Sequence, residues 1–116
     1  MDNFIIYHNP RCSKSRQTLS LLTERGHDPE IFLYLEEKLS FSMIDKILLK
    51  LNLEARELLR TGEEEYKKNN LSDNSLTKKN LIDAMVKYPK LIERPIVING
   101  NRAIIGRPPE NVLKLI

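Results

Sequence analysis

The chain has 116 residues, of which 41% are hydrophobic and 30% charged, and this composition is that of one ordinary folded domain spanning residues 1–116. No apolar run is long enough to cross a bilayer, and the N-terminus shows no secretory signal, which predicts a cytoplasmic protein. The 19 basic and 16 acidic residues are interleaved and leave a net charge of +3. This pattern indicates a solvated surface rather than a nucleic-acid-binding one, and we expect a monomer.

The first third of the chain predicts a β-α-β unit. Phe4–Tyr7 is a short apolar run with strand composition, and Glu30–Leu35 is rich in strand formers. Between them, Ser13–Arg25 has a helix-compatible pattern that Gly26 would end. A short crossover helix of this kind makes the two strands parallel.

The middle of the chain is predicted to be helical. Ser42 and Asp45 resemble a capping box that would begin one helix, and Leu53–Leu59 predicts a second, shorter helix. The charged segment Glu63–Lys68 suits an exposed helical turn. Thr77 can cap a further helix that ends before a proline.

The last third predicts a β-hairpin followed by a helix. Ile96–Ile98 and Ala103–Ile105 flank the sequence Asn-Gly-Asn-Arg at 99–102, which is a strong hairpin turn signal. Two prolines at 108 and 109 then open the closing helix. The element order therefore predicts an α/β fold of the thioredoxin-like type, with a helical insertion between its β-α-β and β-β-α halves.

Cys12 is the only cysteine and lies where the first strand ends and the first helix begins. A thiolate at a helix N-terminus is stabilised by backbone N–H groups and by cations, here Arg11, Lys14 and Arg16. In open α/β sheets this end of the strand is also where ligands bind. The alternative is a small buried side chain, since free cysteine is among the most buried residue types. We favour the nucleophile.

The spacing of residues around Cys12 distinguishes between several classes of thiol enzyme. A dithiol oxidoreductase needs the C-x-x-C pattern, but Ser15 occupies its fourth position, so a self-contained dithiol cycle is excluded. Cys12 and Arg16 are too close for the C-x5-R loop of tyrosine-type phosphatases, and His8 with Asn9 supports a cysteine hydrolase only weakly. What remains is a single thiolate whose product must be resolved by an outside thiol, such as glutathione or a glutaredoxin.

Three arginines lie at predicted breaks in secondary structure, where side chains can converge on a cleft: Arg60, Arg94 and Arg107. Arginine suits bidentate contact with tetrahedral oxyanions. Each of them taken alone is more simply explained as an ordinary surface residue. Their joint presence with the thiol makes them candidate substrate ligands.

Four motifs in the same order resemble the glutaredoxin-linked arsenate reductases of the ArsC family. They are Tyr-His-Asn-Pro-Arg-Cys-Ser-Lys-Ser-Arg at 7–16, Leu-Leu-Arg-Thr at 58–61, Glu-Arg-Pro-Ile-Val at 93–97 and Gly-Arg-Pro-Pro-Glu at 106–110. The resemblance covers essentially the whole chain. Because the sequence ends at Ile116, without the C-terminal extension of the best-known members, it is most similar to the short, chromosomally encoded branch.

The resemblance implies that Cys12 is the nucleophile and that His8 and Ser15 help to lower its pKa. It also implies three arginine ligands for the oxyanion: Arg60, Arg94 and Arg107. It also implies a cis peptide bond before Pro95. The implied reaction is the reduction of arsenate to arsenite, with glutathione as co-substrate, a glutaredoxin as partner, and no bound metal or organic cofactor.

Two alternatives to arsenate reduction stay open on the sequence alone. One is a non-enzymatic transcriptional regulator similar to Spx, which keeps this fold but carries a C-x-x-C pair. Ser15 in place of a second cysteine, together with the three retained arginines, favours the enzyme. The other alternative is a thiol reductase that acts on another oxyanion or on a glutathionylated protein.

Overall fold

The computed structural model describes residues 4–116, which divide into two units. The first unit is formed by residues up to 37 together with 94–116, and the second is the intervening segment 38–93. The second unit corresponds to the helical insertion that the sequence predicts. The prediction of one domain over residues 1–116 stays a prediction.

The first unit is built on a four-stranded sheet with the strand order β2-β1-β3-β4. The strands are β1 (Phe4–Tyr7), β2 (Glu30–Phe32), β3 (Ile96–Asn99) and β4 (Arg102–Ile105). β1 is parallel to β2 and antiparallel to β3, and β3 is antiparallel to β4. This confirms the thioredoxin-like fold and the β3–β4 hairpin, in whose turn Gly100 has a φ of +63°.

One helix and one 3₁₀ helix pack against this sheet. Helix α1 (Ser13–Glu24) ends, as predicted, just before Gly26, and the closing segment Pro109–Leu115 is a 3₁₀ helix in contact with α1. Their apolar side chains meet those of the strands in one buried cluster: Phe4, Ile6, Leu22, Val97, Val112 and Leu115. This cluster fixes the start of α1, and therefore Cys12, at the carboxyl end of β1.

The second unit is helical throughout its regular structure. It contains α2 (Phe41–Leu51), α3 (Glu64–Lys68) and α4 (Lys78–Lys87), with 3₁₀ helices at Ala55–Leu58 and Pro89–Leu91. Apolar side chains of α2 and α4 are buried where these two helices meet: Ile44, Ile47, Leu48, Leu81, Ile82 and Met85. Over residues 4–116, no helix has the length and apolarity that a membrane crossing requires.

Two of the predicted boundaries that are wrong have an identifiable local cause. β2 ends at Phe32 rather than Leu35, because the chain turns at Leu33, whose carbonyl accepts the N–H groups of Glu36 and Glu37, both at 2.9 Å. The Glu37 carboxylate accepts the Leu33 N–H at 2.9 Å and stabilises this turn. α2 begins after Ser40, whose hydroxyl oxygen accepts the Met43 N–H at 3.2 Å. A cap two residues upstream therefore replaces the capping box predicted at Ser42 and Asp45. The cap at Thr77 is confirmed.

Candidate active site

Cys12 lies in the turn that joins β1 to α1, at the N-cap position of the helix. Its backbone N–H donates to the Asn9 carbonyl at 3.0 Å, and its carbonyl accepts the N–H of Arg16 at 3.0 Å. Arg16 also donates through Nη1 to the Pro10 carbonyl at 2.9 Å. These contacts hold the loop from Asn9 to Cys12 in one conformation, with Cys12 only 9% exposed.

Opposing effects set the acidity of the Cys12 thiol. Burial raises its pKa, but the backbone N–H groups of Ser15 and Lys14 and the Arg94 guanidinium stabilise the thiolate and outweigh the burial. The net pKa therefore lies below the ordinary value of a cysteine. A lowered pKa is what a reactive thiol needs, because the thiolate is the nucleophilic form.

Two arginines of the first unit complete the surroundings of the sulfur. Nη2 of Arg107 lies 3.5 Å from the Cys12 Sγ, and its Nε donates to the Arg94 carbonyl at 2.7 Å, which fixes the plane of the guanidinium. The Nε of Arg94 is buried and has no hydrogen-bond partner among the residues that the structure describes. A buried donor without a partner is rare, and an anionic oxygen beside the thiol would satisfy it.

The histidine and serine of the first motif are bonded to each other. His8 Nδ1 lies 2.6 Å from the Ser15 Oγ, and the same oxygen accepts the Asn9 N–H at 3.0 Å. Burial lowers the pKa of His8, and the nearby charge of Arg16 lowers it further, so the ring favours its neutral form. The pair joins the loop to the helix. That these two side chains assist the thiol stays a prediction.

Gly106 allows close packing next to this site, a role that the sequence did not reveal. A Cβ at this position would lie 2.5 Å from the Thr18 Oγ1 and 2.8 Å from the Pro95 Cγ. The Gly106 N–H also donates to the Pro95 carbonyl at 2.9 Å. The absence of a side chain lets α1 and Pro95 approach the backbone that precedes Arg107. The only sequence signal was a glycine between a strand and an arginine.

The peptide bonds before Pro95 and Pro108 are both cis. The first confirms what the family resemblance implies. The second, after Arg107, was not predicted. Each of the two arginines beside the thiol thus directly precedes a cis-proline.

Arg60 belongs to the second unit, where two carboxylates hold its side chain. Its Nη1 lies 2.8 Å from a Glu93 oxygen, and its Nε lies 3.4 Å from a Glu63 oxygen. Its backbone N–H donates to the Leu91 carbonyl at 2.7 Å. The role of Arg60 as a substrate ligand stays a prediction.

The first-unit arrangement is suited to one type of chemistry. The Cys12 thiolate is a nucleophile, and Arg94 and Arg107 place positive charge where an oxyanion would bring negative charge. Within residues 4–116, no group of three or more His, Cys, Asp or Glu residues could hold a metal ion. The Cys12 thiolate and the two guanidinium groups together are equipped for attack by sulfur on the central atom of a bound oxyanion.

Comparison with known proteins gives matches over nearly the full chain. Residues 7–115 match the model of the ArsC family. YfgD of Escherichia coli strain K12 is 54% identical over 112 residues, which are 96% of this chain and 94% of YfgD. An arsenate reductase of Haemophilus influenzae is 49% identical over 113 residues, or 97% of each chain. The solved structure of an arsenate reductase from Vibrio cholerae, 46% identical, aligns with a TM-score of 0.97 over 99% of this chain and 98% of that one.

Proposed function

Because the chain belongs to the ArsC family, we propose that it is an arsenate reductase that uses Cys12 as its nucleophile and takes electrons from glutathione and a glutaredoxin. The observation that carries the proposal is the pairing of a thiol of lowered pKa with the Arg107 guanidinium, 3.5 Å from the sulfur. Relatives named arsenate reductases, at 39% to 49% identity, support the choice of substrate.

Arsenate binding is assigned first to Arg94 and Arg107. Arsenate is a tetrahedral oxyanion, and its oxygens can accept the buried Nε–H of Arg94 that has no partner in the described part of the chain. Arg107 is already oriented by its bond to the Arg94 carbonyl, so little side-chain entropy is lost when the anion binds. Arg60 is the proposed third ligand on the strength of the family resemblance.

The first chemical step is attack by the Cys12 thiolate on arsenic. A sulfur–arsenic bond forms, an arsenic–oxygen bond breaks, and the oxygen leaves as water after taking up protons. The arginines favour this step because they offset the negative charge that concentrates on the remaining oxygens as the bond forms.

Glutathione completes the reduction. Its thiolate attacks the Cys12 sulfur of the arsenic adduct and forms a disulfide between glutathione and Cys12. The sulfur–arsenic bond breaks, and its electron pair stays on arsenic, which passes from the pentavalent to the trivalent state. Over both steps one arsenate oxygen leaves as water and two thiols become one disulfide, which balances the reduction. A glutaredoxin thiolate then attacks the glutathione sulfur and frees Cys12 for the next turnover.

Three further properties belong to the proposal. No bound metal or organic cofactor is needed, because thiols supply both electrons. The reaction is assigned to the cytoplasm, where glutathione keeps single thiols reduced. The protein is proposed to act as a monomer, since Cys12, Arg94 and Arg107 of one chain already lie together.

The test is arsenite production with arsenate, glutathione and a glutaredoxin. The wild type is compared with Cys12→Ser, which removes only the nucleophile, and with Ser20→Ala, an exposed position on the same helix. We expect no turnover from Cys12→Ser and unchanged turnover from Ser20→Ala. Equal rates from the wild type and Cys12→Ser would contradict the proposal. If the chain reduces a glutathionylated protein but not arsenate, the alternative function is favoured, namely a thiol reductase that acts on glutathionylated proteins.

A further inference from the structure

A cleft of about 380 Å³ lies beside the loop that carries Cys12. The loop after β1 (residues 8–11) and the turn after β2 (Leu33, Leu35 and Glu36) line it. The His8 N–H donates to the Phe32 carbonyl at 2.9 Å and joins these two segments. The cleft therefore lies at the carboxyl ends of two parallel strands, where α/β sheets bind their ligands.

The lining of this cleft combines opposite charges with apolar surface. Arg11 and Glu36 are exposed, and neither side chain has an ion-pair or hydrogen-bond partner anywhere in residues 4–116. Leu33 and Leu35 supply apolar surface, and Leu35 is 40% exposed. A ligand that matches this lining carries both an ammonium and a carboxylate on a partly apolar body.

We propose that this cleft binds the γ-glutamyl end of glutathione, with its α-carboxylate on Arg11 and its α-ammonium on Glu36. The inference rests on the proposed function, in which glutathione is the thiol that reduces the arsenic bound to Cys12. The cysteinyl residue of glutathione directly follows the γ-glutamyl group, and Arg11 directly precedes Cys12. Binding at Arg11 thus brings the thiol of glutathione into the neighbourhood of the Cys12 sulfur.

A second groove in the first unit is the rival location, and its charges disfavour it. This groove, of about 440 Å³, runs between α1 and the closing 3₁₀ helix and contains Arg16, Glu24 and Glu110. Arg16 already donates to the Pro10 carbonyl at 2.9 Å. The two glutamates would repel glutathione, which carries two carboxylates and one ammonium.

The test measures binding of S-methylglutathione, an unreactive probe, to the full chain by NMR titration. The backbone amide signals of His8, Asn9, Arg11 and residues 33–36 should shift. Arg11→Gln and Glu36→Gln should each weaken binding about two- to fivefold, the range for one charge pair at an exposed site. The matched controls Arg25→Gln and Glu24→Gln remove an exposed charge of the same sign elsewhere and should bind like the wild type.

A shorter probe makes the test specific for the γ-glutamyl group. S-methylcysteinylglycine lacks that group, so the two cleft variants should bind it as the wild type does. Unchanged binding of S-methylglutathione by both cleft variants, or no binding to the wild type, overturns the proposal. Weakening by Glu24→Gln in place of Glu36→Gln also overturns it and assigns the peptide to the groove along α1. Neither titration contains arsenate, so the result is independent of whether the chain reduces arsenate.

Discussion

The reactivity of the Cys12 thiol depends on the cation of Arg94. Burial raises the pKa of this thiol, and the Arg94 guanidinium is among the groups that bring it below its ordinary value. Arg94→Gln removes that cation, so the pKa should rise. The rate of alkylation by iodoacetamide, which follows the thiolate fraction, should therefore reach its midpoint at a higher pH than in the wild type.

Two further variants separate this effect from a general loss of positive charge. Arg94→Lys keeps a cation and should leave the midpoint nearer to that of the wild type. Arg25→Gln removes an exposed arginine from the end of α1 and should leave it unchanged. A midpoint that does not move in Arg94→Gln would show that the backbone N–H groups of Ser15 and Lys14 are sufficient.

His8 should make the native state sensitive to acid. Its pKa lies below the ordinary value of 6.5, chiefly because the ring is buried, so the unfolded chain takes up a proton at a higher pH than the folded chain does. The free energy of unfolding should therefore fall as the pH drops through the ordinary histidine range and on to the lower folded-state pKa. His8→Gln should reduce this fall, as measured by urea unfolding at a series of pH values.

His27 provides the matched control, because the chain has only two histidines. Its ring stacks edge-on against Phe4 at a centroid distance of 4.7 Å. His27→Gln removes the other histidine, so a smaller acid-induced loss of stability in His8→Gln than in His27→Gln would assign the effect to His8. A pH dependence that is the same for His8→Gln and the wild type would contradict the assignment to His8.

At the scale of elements, Gly106 determines how closely α1 can approach the turn after β4. Gly106→Ala places a Cβ 2.5 Å from the Thr18 Oγ1 and 2.8 Å from the Pro95 Cγ, so both neighbours must move. Overpacking of this kind costs about 1–3 kcal/mol, which should appear as a lower free energy of unfolding in urea. Alkylation of Cys12 should change as well, because Arg107 follows the displaced residue.

The control for this prediction is Gly62→Ala, where an added Cβ has no atom within 4 Å. Its stability should stay close to that of the wild type. Combining Gly106→Ala with Thr18→Ala removes the nearer contact, so the double variant should be more stable than the sum of the two single effects predicts. If the effects of the two single substitutions on stability simply add, then Thr18 does not limit how closely α1 approaches the turn after β4.

Local signals explain which elements could be predicted from the sequence. The β3–β4 hairpin was predictable because Gly100 supplies the positive φ that its short turn requires, and Cys12 was placed correctly at the start of α1. The end of β2 was missed because it depends on a turn in which the Leu33 carbonyl accepts the N–H groups of Glu36 and Glu37 and the Glu37 carboxylate accepts the Leu33 N–H.

The parts of the site that could not be predicted are those made by distant residues. The hydroxyl of Thr18 and the carbonyl of Gly106 are 88 positions apart and lie 3.5 Å from each other. No periodicity or turn signal encodes a contact of that kind. The same is true of the bond from the Arg107 Nε to the Arg94 carbonyl, which orients the guanidinium beside the thiol. The sequence identified these arginines as candidates but not how they are held.

For the whole molecule, the number of cysteines limits the catalytic cycle. Cys12 is the only thiol in the 116 residues, so the chain cannot close an internal disulfide after it has donated its electrons. The proposed cycle must then stop at a disulfide between Cys12 and glutathione whenever no glutaredoxin is present. That disulfide is a covalent adduct of the chain, so the mass of the intact protein reports it.

We therefore predict one glutathione per chain after reaction with arsenate and glutathione alone, as measured by mass spectrometry of the intact protein under acid quench. Glutaredoxin should remove the adduct and restore turnover, because its thiolate attacks the glutathione sulfur. Cys12→Ser should carry no adduct, and the wild type treated with glutathione but no arsenate should carry far less. Arsenite formation without any adduct on Cys12 would rule out this order of steps, since the electrons would then have passed to arsenic without the thiol of this chain.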